Sequence, residues 1–252
     1  MTEPLESRLE AHARSRGVRF FGIADLVPAH QEIRRLGGEE IASYPRAVSI
    51  GIELSHEIVD RLPERVRPEV TEQTKRDVIA AYRGHTDAIK ETLRHTGEEL
   101  AEALRQAGHS ALAIQVSERR DERFLEAVFS HKLAAHLAGL GWIGKSCLLV
   151  TPELGPRVRW TTVLTDAPLP PTGEPGAERC GNCRKCVDIC PVGAFSGRGF
   201  RTAEPRETRF NALACDNYFA EVERKTGFRT CGLCVYVCPF GRRVSERARR
   251  AG

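Results

Sequence analysis

Eight cysteines fall between Cys180 and Cys238, and their spacing is that of iron–sulfur ligands. The first run is Cys180-x2-Cys183-x2-Cys186-x3-Cys190-Pro191; the second is Cys231-x2-Cys234-x3-Cys238-Pro239. Two-residue gaps let a tight loop wrap three corners of one [4Fe–4S] cubane. The cysteine three residues on starts a helical turn that leads to a neighbouring cubane. The second run is one ligand short, and Cys215 is the candidate that completes it. The expected ligation is therefore crossed. Cys180, Cys183, Cys186 and Cys238 hold one cluster, and Cys190, Cys215, Cys231 and Cys234 hold the other. Structural zinc suits an isolated Cys-x2-Cys pair, but not two cysteine–proline runs at this spacing.

The ninth cysteine, Cys147, enters an apolar stretch, Cys147-Leu148-Leu149-Val150. It reads as a small buried hydrophobe, with a reactive thiol activated by Lys145 as the alternative. Gly139-x-Gly141-x-x-Gly144 matches the dinucleotide fingerprint in form only. No convincing strand precedes it, and no acidic residue follows in the right context. The glycines suit the approach of backbone to a large flat cofactor. Trp142 would stack on such a cofactor and Lys145 would pair with its polar edge. Alternatively, Trp142 is core and Lys145 lies at the core's rim. His85 and His95 sit among polar residues and read as surface positions.

The elements that must carry these groups follow from pattern. Leu5–Ser15 has helical spacing with Gly17 as a stop. Residues 18–26 and 47–52 read as strands. Residues 72–107 form a long helical stretch that Gly84 and Gly97 are placed to break. Residues 111–116 alternate like a strand, 124–137 are helical, and 148–151 and 158–165 read as strands. This mixture predicts an α+β or α/β layer domain over 1–166. The Pro-rich stretch 167–173 reads as a linker into a second domain, 167–252, built around the clusters.

The 252 residues are 41% hydrophobic and 29% charged, as in a globular protein. No apolar run reaches the roughly 18 residues of a membrane helix, and the charged N-terminus lacks a secretory apolar region. The expectation is a cytoplasmic protein with no membrane partner, in which clustered cysteines bind metal rather than pair. The net charge of +4 is uneven: fifteen Lys/Arg face eight Asp/Glu from residue 178 onward, leaving −3 elsewhere. The basic excess compensates the anionic clusters; the alternative is an anionic partner such as a nucleic acid.

Residues 131–169, HKLAAHLAGLGWIGKSCLLVTPELGPRVRWTTVLTDAPL, precede CGNCRKCVDICPVGAF and CGLCVYVCPFG. Together these resemble the epoxyqueuosine reductase family and, more distantly, the reductive dehalogenases. The resemblance implies a nitroreductase-like α/β domain followed by a small bacterial-ferredoxin-like double-cluster domain. It implies a cobalamin above the first cluster, which would be the large flat cofactor suited to Gly139, Gly141, Trp142 and Lys145. It implies two-electron reduction of a substrate, a small molecule or a modified nucleoside, with electrons from a donor such as a ferredoxin or flavodoxin. The family's proposed proton donor, an Asp, falls at Leu125 here. Glu126 and His131 are the replacement candidates for a general acid, against a solvated Glu126 and a His131 that packs its helix. Fourteen residues follow Cys238, without the helical-repeat domain that helps the family hold tRNA, so tRNA is a doubtful partner. The rival expectation is a ferredoxin-like carrier that hands low-potential electrons to a partner enzyme.

Overall fold

A computed structural model describes residues 3–115, 125–202 and 204–251, without side chains beyond 247. By their internal contacts these residues form two units. The first comprises 1–53, 89–142 and 159–177; the second comprises 54–88, 143–158 and 178–252. The sequence reading cut the chain once, between 166 and 167. The structure instead assigns the Pro-rich stretch to the first unit, because it is not a free linker. The Thr172 main-chain N–H donates to Ile23 O at 3.0 Å, and Ile23 N–H returns a 3.0 Å bond to Thr172 Oγ1. Buried strand backbone needs such partners.

The first unit is built on a four-stranded sheet. Its strands are β1 (Phe20–Asp25), β2 (Arg46–Glu53), β3 (Ala111–Ile114) and β6 (Val158–Thr165), in the order β1-β2-β6-β3. β1 and β2 are antiparallel with Ile23 opposite Val48; β3 and β6 are antiparallel with Ile114 opposite Thr162. The middle strands β2 and β6 are buried on both faces, which explains their near-continuous apolar runs. Helix α5 (His131–Leu137) packs on β1 and β2. Leu133, Ala134 and Ala135 are among its buried residues. Helices α1 (Leu5–Ser15) and α2 (His30–Ala42) complete the mixed helix–sheet layering. α1 ends as its sequence demands: Gly17 adopts φ +82°, the left-handed geometry that glycine takes without penalty.

Helix α4 (Glu72–Gln106) runs unbroken through Gly84 and Gly97, contrary to the expected breaks. Its residues up to 88 belong to the second unit and the rest to the first. Helix α5 is shorter than the pattern suggested. Residues 125–130 are turn and bridge, with Leu125 at φ +53°, and residues 116 and 124 lie outside the described residues.

The second unit holds α3 (His56–Arg61) and the short pair β4 (Trp142–Ile143) and β5 (Leu149–Val150), whose first residue the contact division leaves in the first unit. Then come α6 (Lys185–Asp188), α7 (Ala212–Thr226), α8 (Leu233–Val237) and α9 (Pro239–Ala251). Leu54, Leu62, Val78, Tyr82, Leu233 and Val235 are buried in this unit. No helix among the described residues is long and apolar enough to cross a membrane.

Candidate iron–sulfur site

The first cysteine run is a loop that turns into helix. Cys183 N–H donates to Cys180 O at 2.9 Å, closing a turn whose Gly181 sits at φ +48°. Helix α6 then carries Cys186, and Cys190 follows its end. There Ala194 N–H reaches Cys190 Sγ at 3.3 Å. The 196–209 excursion is pinned at its base by a bridge between Phe195 and Phe210, whose rings stack at 5.2 Å. Asn211 caps α7 by accepting from Ala214 N–H at 3.0 Å, which sets Cys215 in the first turn. The second run repeats the device. α8 carries Cys234, and Cys238 ends it before Pro239 opens α9. Helices α6 and α8 pack together.

The thiols gather in two groups. Burial pushes Cys186 up to about 11, and its thiol neighbours Cys180, Cys238 and Cys183 push it further. Cys215 is pushed up to about 12 by burial and then by Cys231 and Cys190. Cys234 is raised by burial and then by Cys231, Cys215, Cys186 and Cys190. Cys238 is raised by burial, eased by the main-chain N–H groups of Phe240 and Gly241, and raised again by Cys180 and Cys183. Cys186 is thus acted on by Cys180, Cys238 and Cys183, and Cys215 by Cys231 and Cys190, while Cys234 senses members of both sets. Left bare, such thiols hold their protons at neutral pH. A cationic metal core removes them, so the donor set fits thiolate-ligated clusters. Among the described residues no three Cys, His, Asp or Glu side chains form a site for a single metal ion.

A small pocket, about 50 Å³, opens between Cys180, Cys183, Cys186 and Cys238, with Lys145 and Phe240 also in its wall. Lys145 Nζ donates to Gly181 O at 2.5 Å and to Cys183 O at 3.4 Å, so it braces the first cysteine loop. Gly144 is needed beside it: a Cβ there would lie 2.8 Å from Val150 Cγ2 and 3.3 Å from Cys180 Sγ.

The remaining sequence candidates fall elsewhere. Gly139 stands at φ +77° in the turn that closes α5, and the main chain of Gly173 and Glu174 passes over it, at 3.0 and 3.1 Å from any added Cβ. Gly141 O accepts from His136 Nδ1 at 2.9 Å. Trp142 is 2% exposed and packs as core. These three are thus occupied by the chain itself, whereas Lys145 serves the cysteine loop. His131 Nδ1 lies 3.0 Å from Thr162 Oγ1, and the ring also bonds the main chain of Gln115. Burial lowers this histidine to about 4, so it is neutral at pH 7 and ties α5 to the sheet. Glu126 is part-exposed and pairs with Arg35 at 3.0 Å. Arg35 is held above its ordinary value by Glu32 first and Glu126 second. Cys147 is buried, as expected, with Arg209 Nη1 3.8 Å from its sulfur. His85 is not a free surface group, since its Nε2 accepts from Ser55 N–H at 2.9 Å.

Sequence reasoning missed three buried arginines of the second unit: Arg209, 5% exposed beside Cys147, and two more. Arg157 is 1% exposed and joins Asp60 and Ser245, each at 2.8 Å. Arg65 is 7% exposed and donates to Cys231 O at 2.8 Å. No local pattern marks any of them among the chain's many arginines.

Residues 179–241 match the family model described as a 4Fe-4S double cluster binding domain. Curated relatives are epoxyqueuosine reductases. That of Bacillus anthracis is 36% identical over 112 residues, covering 44% of this chain and 29% of the relative. That of Listeria monocytogenes is 24% identical over 265 residues, covering 94% of this chain and 65% of the relative. The chain thus spans less than two thirds of these relatives. Among solved structures, an epoxyqueuosine reductase with an epoxyqueuosine-modified tRNA-Tyr stem loop matches at TM-score 0.58 and 20% identity. That match covers 94% of this chain and 65% of the other. A catabolic reductive dehalogenase matches at TM-score 0.61 and 19% identity, covering 96% of this chain and 33% of the other. In sequence over most of its length, and in fold, this double-cluster chain is similar to the epoxyqueuosine reductases.

Proposed function

We propose that the chain is an iron–sulfur reductase that passes electrons through two [4Fe–4S] clusters toward a substrate associated with its nitroreductase-like first unit. The observation that carries this reading is the pair of cysteine runs within residues 179–241, which match a 4Fe-4S double cluster binding domain. When bound, the clusters supply one-electron relay at low potential. The chain's own residues do the rest. Cys180, Cys183, Cys186 and Cys238 would hold one cluster, and Cys190, Cys215, Cys231 and Cys234 the other. Lys145 holds the Gly181 and Cys183 carbonyls, fixing the first loop. The main-chain N–H groups of Phe240 and Gly241 act on Cys238. A donor of ferredoxin or flavodoxin type would feed the relay, and the relatives' names make a modified nucleoside the first substrate to try.

A cobalamin as the electrons' destination is supported by one solved fold neighbour, a reductive dehalogenase described as B12-dependent, at TM-score 0.57 and 20% identity. The residues chosen for it from sequence do not fit. Gly139 and Gly141 are taken up by the chain's own main chain and His136, and Trp142 is core. No step is therefore assigned to it. A second reading, a carrier serving a partner enzyme, is favoured by the proton-donor candidates. Leu125 stands at the family's Asp position, Glu126 is ion-paired, and His131 is neutral with its ring bonded.

The deciding experiment is anaerobic reconstitution, incubation with hydroxocobalamin, gel filtration, and iron and cobalt counting. About eight irons per chain with about one retained cobalt supports the cobalamin-dependent reductase. The same iron without cobalt moves the reading to the carrier or to a different cofactor. Much less iron overturns the two-cluster reading itself.

A further inference from the structure

Arg65 lies far from the cysteine runs in sequence, yet it belongs to the same unit as both. It is 93% buried, and its Nη1 donates to Cys231 O at 2.8 Å and Thr230 O at 3.4 Å. Its guanidinium carbon lies 5.8 Å from the Tyr218 ring centre, and its charge acts on the Cys231 side chain. Burying a guanidinium is costly without an opposite charge. Of the other buried arginines of this unit, Arg157 meets that need with Asp60, and Arg209 lies over the Phe200 ring with its Nη1 3.8 Å from Cys147 Sγ. Among the described residues the polar contacts of Arg65 are instead to the 230–231 main chain and to a cluster-ligand cysteine. What would neutralise it is the anionic unit that four thiolates make with an oxidised cubane.

We propose that Arg65 is the built-in counter-cation of the cluster held by Cys190, Cys215, Cys231 and Cys234, and that it raises the reduction potential of that cluster alone. The proposal rests on the two-cluster reading. Adding an electron makes the cluster more negative, so a fixed buried cation favours the reduced state. A buried charge is also weakly screened by solvent and salt. Of the cations that line the pocket at the other four cysteines, Lys145 is only part-buried and bonds loop carbonyls, and Arg179 and Lys185 are exposed. The two clusters are thereby given unlike electrostatic settings by residues outside the ferredoxin-like runs, and Arg65 is a positioning and tuning residue that touches no substrate.

The test uses the full chain with both clusters reconstituted, titrated potentiometrically and read by low-temperature EPR. In Arg65→Met, the reduced-to-oxidised ratio of one cluster at a fixed potential should fall at least about tenfold, a downward shift of about 59 mV for a one-electron couple. The other cluster should not move, and Arg65→Lys should recover most of the shift. An unmoved midpoint, an equal shift of both clusters, or a lysine variant as low as the methionine one overturns the proposal. Should Arg65→Met not retain iron, labelled protein decides. With guanidino-¹⁵N arginine, pulsed EPR of the reduced wild-type chain should show a nitrogen coupling that Arg65→Lys lacks; identical spectra overturn it. A wild-type chain with far fewer than about eight irons refutes the cluster reading rather than the role of Arg65.

Discussion

Arg157 and Asp60 meet in a 2.8 Å ion pair in which the arginine is 1% exposed and the aspartate 21%. The same guanidinium bonds Ser245 on α9, and Gly241, near the start of that helix, leaves room for it: a Cβ there would lie 2.8 Å from Arg157 Nε. The pair therefore fixes the helix whose first residues follow Cys238. Arg157→Met should destabilise the holoprotein by about 3 kcal/mol, the scale for breaking a buried pair. A cycle with Asp60→Asn should give a coupling of about 1–3 kcal/mol in denaturant unfolding. Independent, additive losses would show that the pair does not anchor α9.

The crossed ligation makes a discriminating prediction. Cys190→Ser and Cys234→Ser should damage the same cluster although the two residues lie in different runs. Cys186→Ser should damage the other, although it shares a run with Cys190. EPR of the reduced variants reads this directly. If Cys190→Ser and Cys186→Ser lose the same signal, each run serves its own cluster and the grouping seen around Cys186 and Cys215 has been misread.

Gly232 is fixed twice over. It adopts φ +87°, and a Cβ there would come within 2.8 Å of both Leu62 Cδ1 and Tyr82 Cε1, buried side chains that cannot easily yield. It also separates Cys231 from α8. Gly232→Ala should cost about 2–6 kcal/mol, from backbone strain of about 1–3 kcal/mol plus overpacking of similar size. Iron retention should fall with it. Thermal unfolding and iron counting check both; an alanine variant of normal stability would mean that Leu62 and Tyr82 repack freely.

The double-cluster domain was legible in sequence because its signature is local: two- and three-residue gaps between cysteines recur across 179–241, whereas Cys215, outside both runs, has no such gap to place it. Strands β1, β2 and β6 were legible for the same reason, through apolar runs bounded by turn residues. The unbroken α4 was not. Gly97 costs the helix about 1 kcal/mol, but it packs on Thr161 and Ala113, with their side chains 3.6 and 3.9 Å from where its Cβ would be. The interleaved units were hidden too, since nothing local in 167–173 announces that Thr172 bonds β1. Gly139 and Trp142 misled for a related reason. A glycine-rich turn looks alike from sequence whether a cofactor or the chain's own backbone lies against it.

His131 gives a pH prediction whose sign can be worked out. Burial lowers its pKa from 6.5 to about 4, so between those values the unfolded chain binds a proton that the folded chain does not. Stability therefore rises with pH across that window. The contribution is fully present above about pH 6.5 and is lost as the pH falls toward 4. A shift of this size corresponds to about 3 kcal/mol at most. His131 is only part-buried by surface area, which brings the expectation nearer 2 kcal/mol. Denaturant unfolding at pH 5 and pH 7 should show more than half of this difference in the wild type, the rest being lost between pH 5 and pH 4. His131→Gln, which can keep a bond to Thr162, should flatten it without moving iron content or either cluster's EPR signal. A variant that keeps the full pH slope would place the titrating group elsewhere. One that abolishes substrate reduction while leaving stability and clusters intact would return His131 to the role of proton donor, which its bonded, neutral ring argues against.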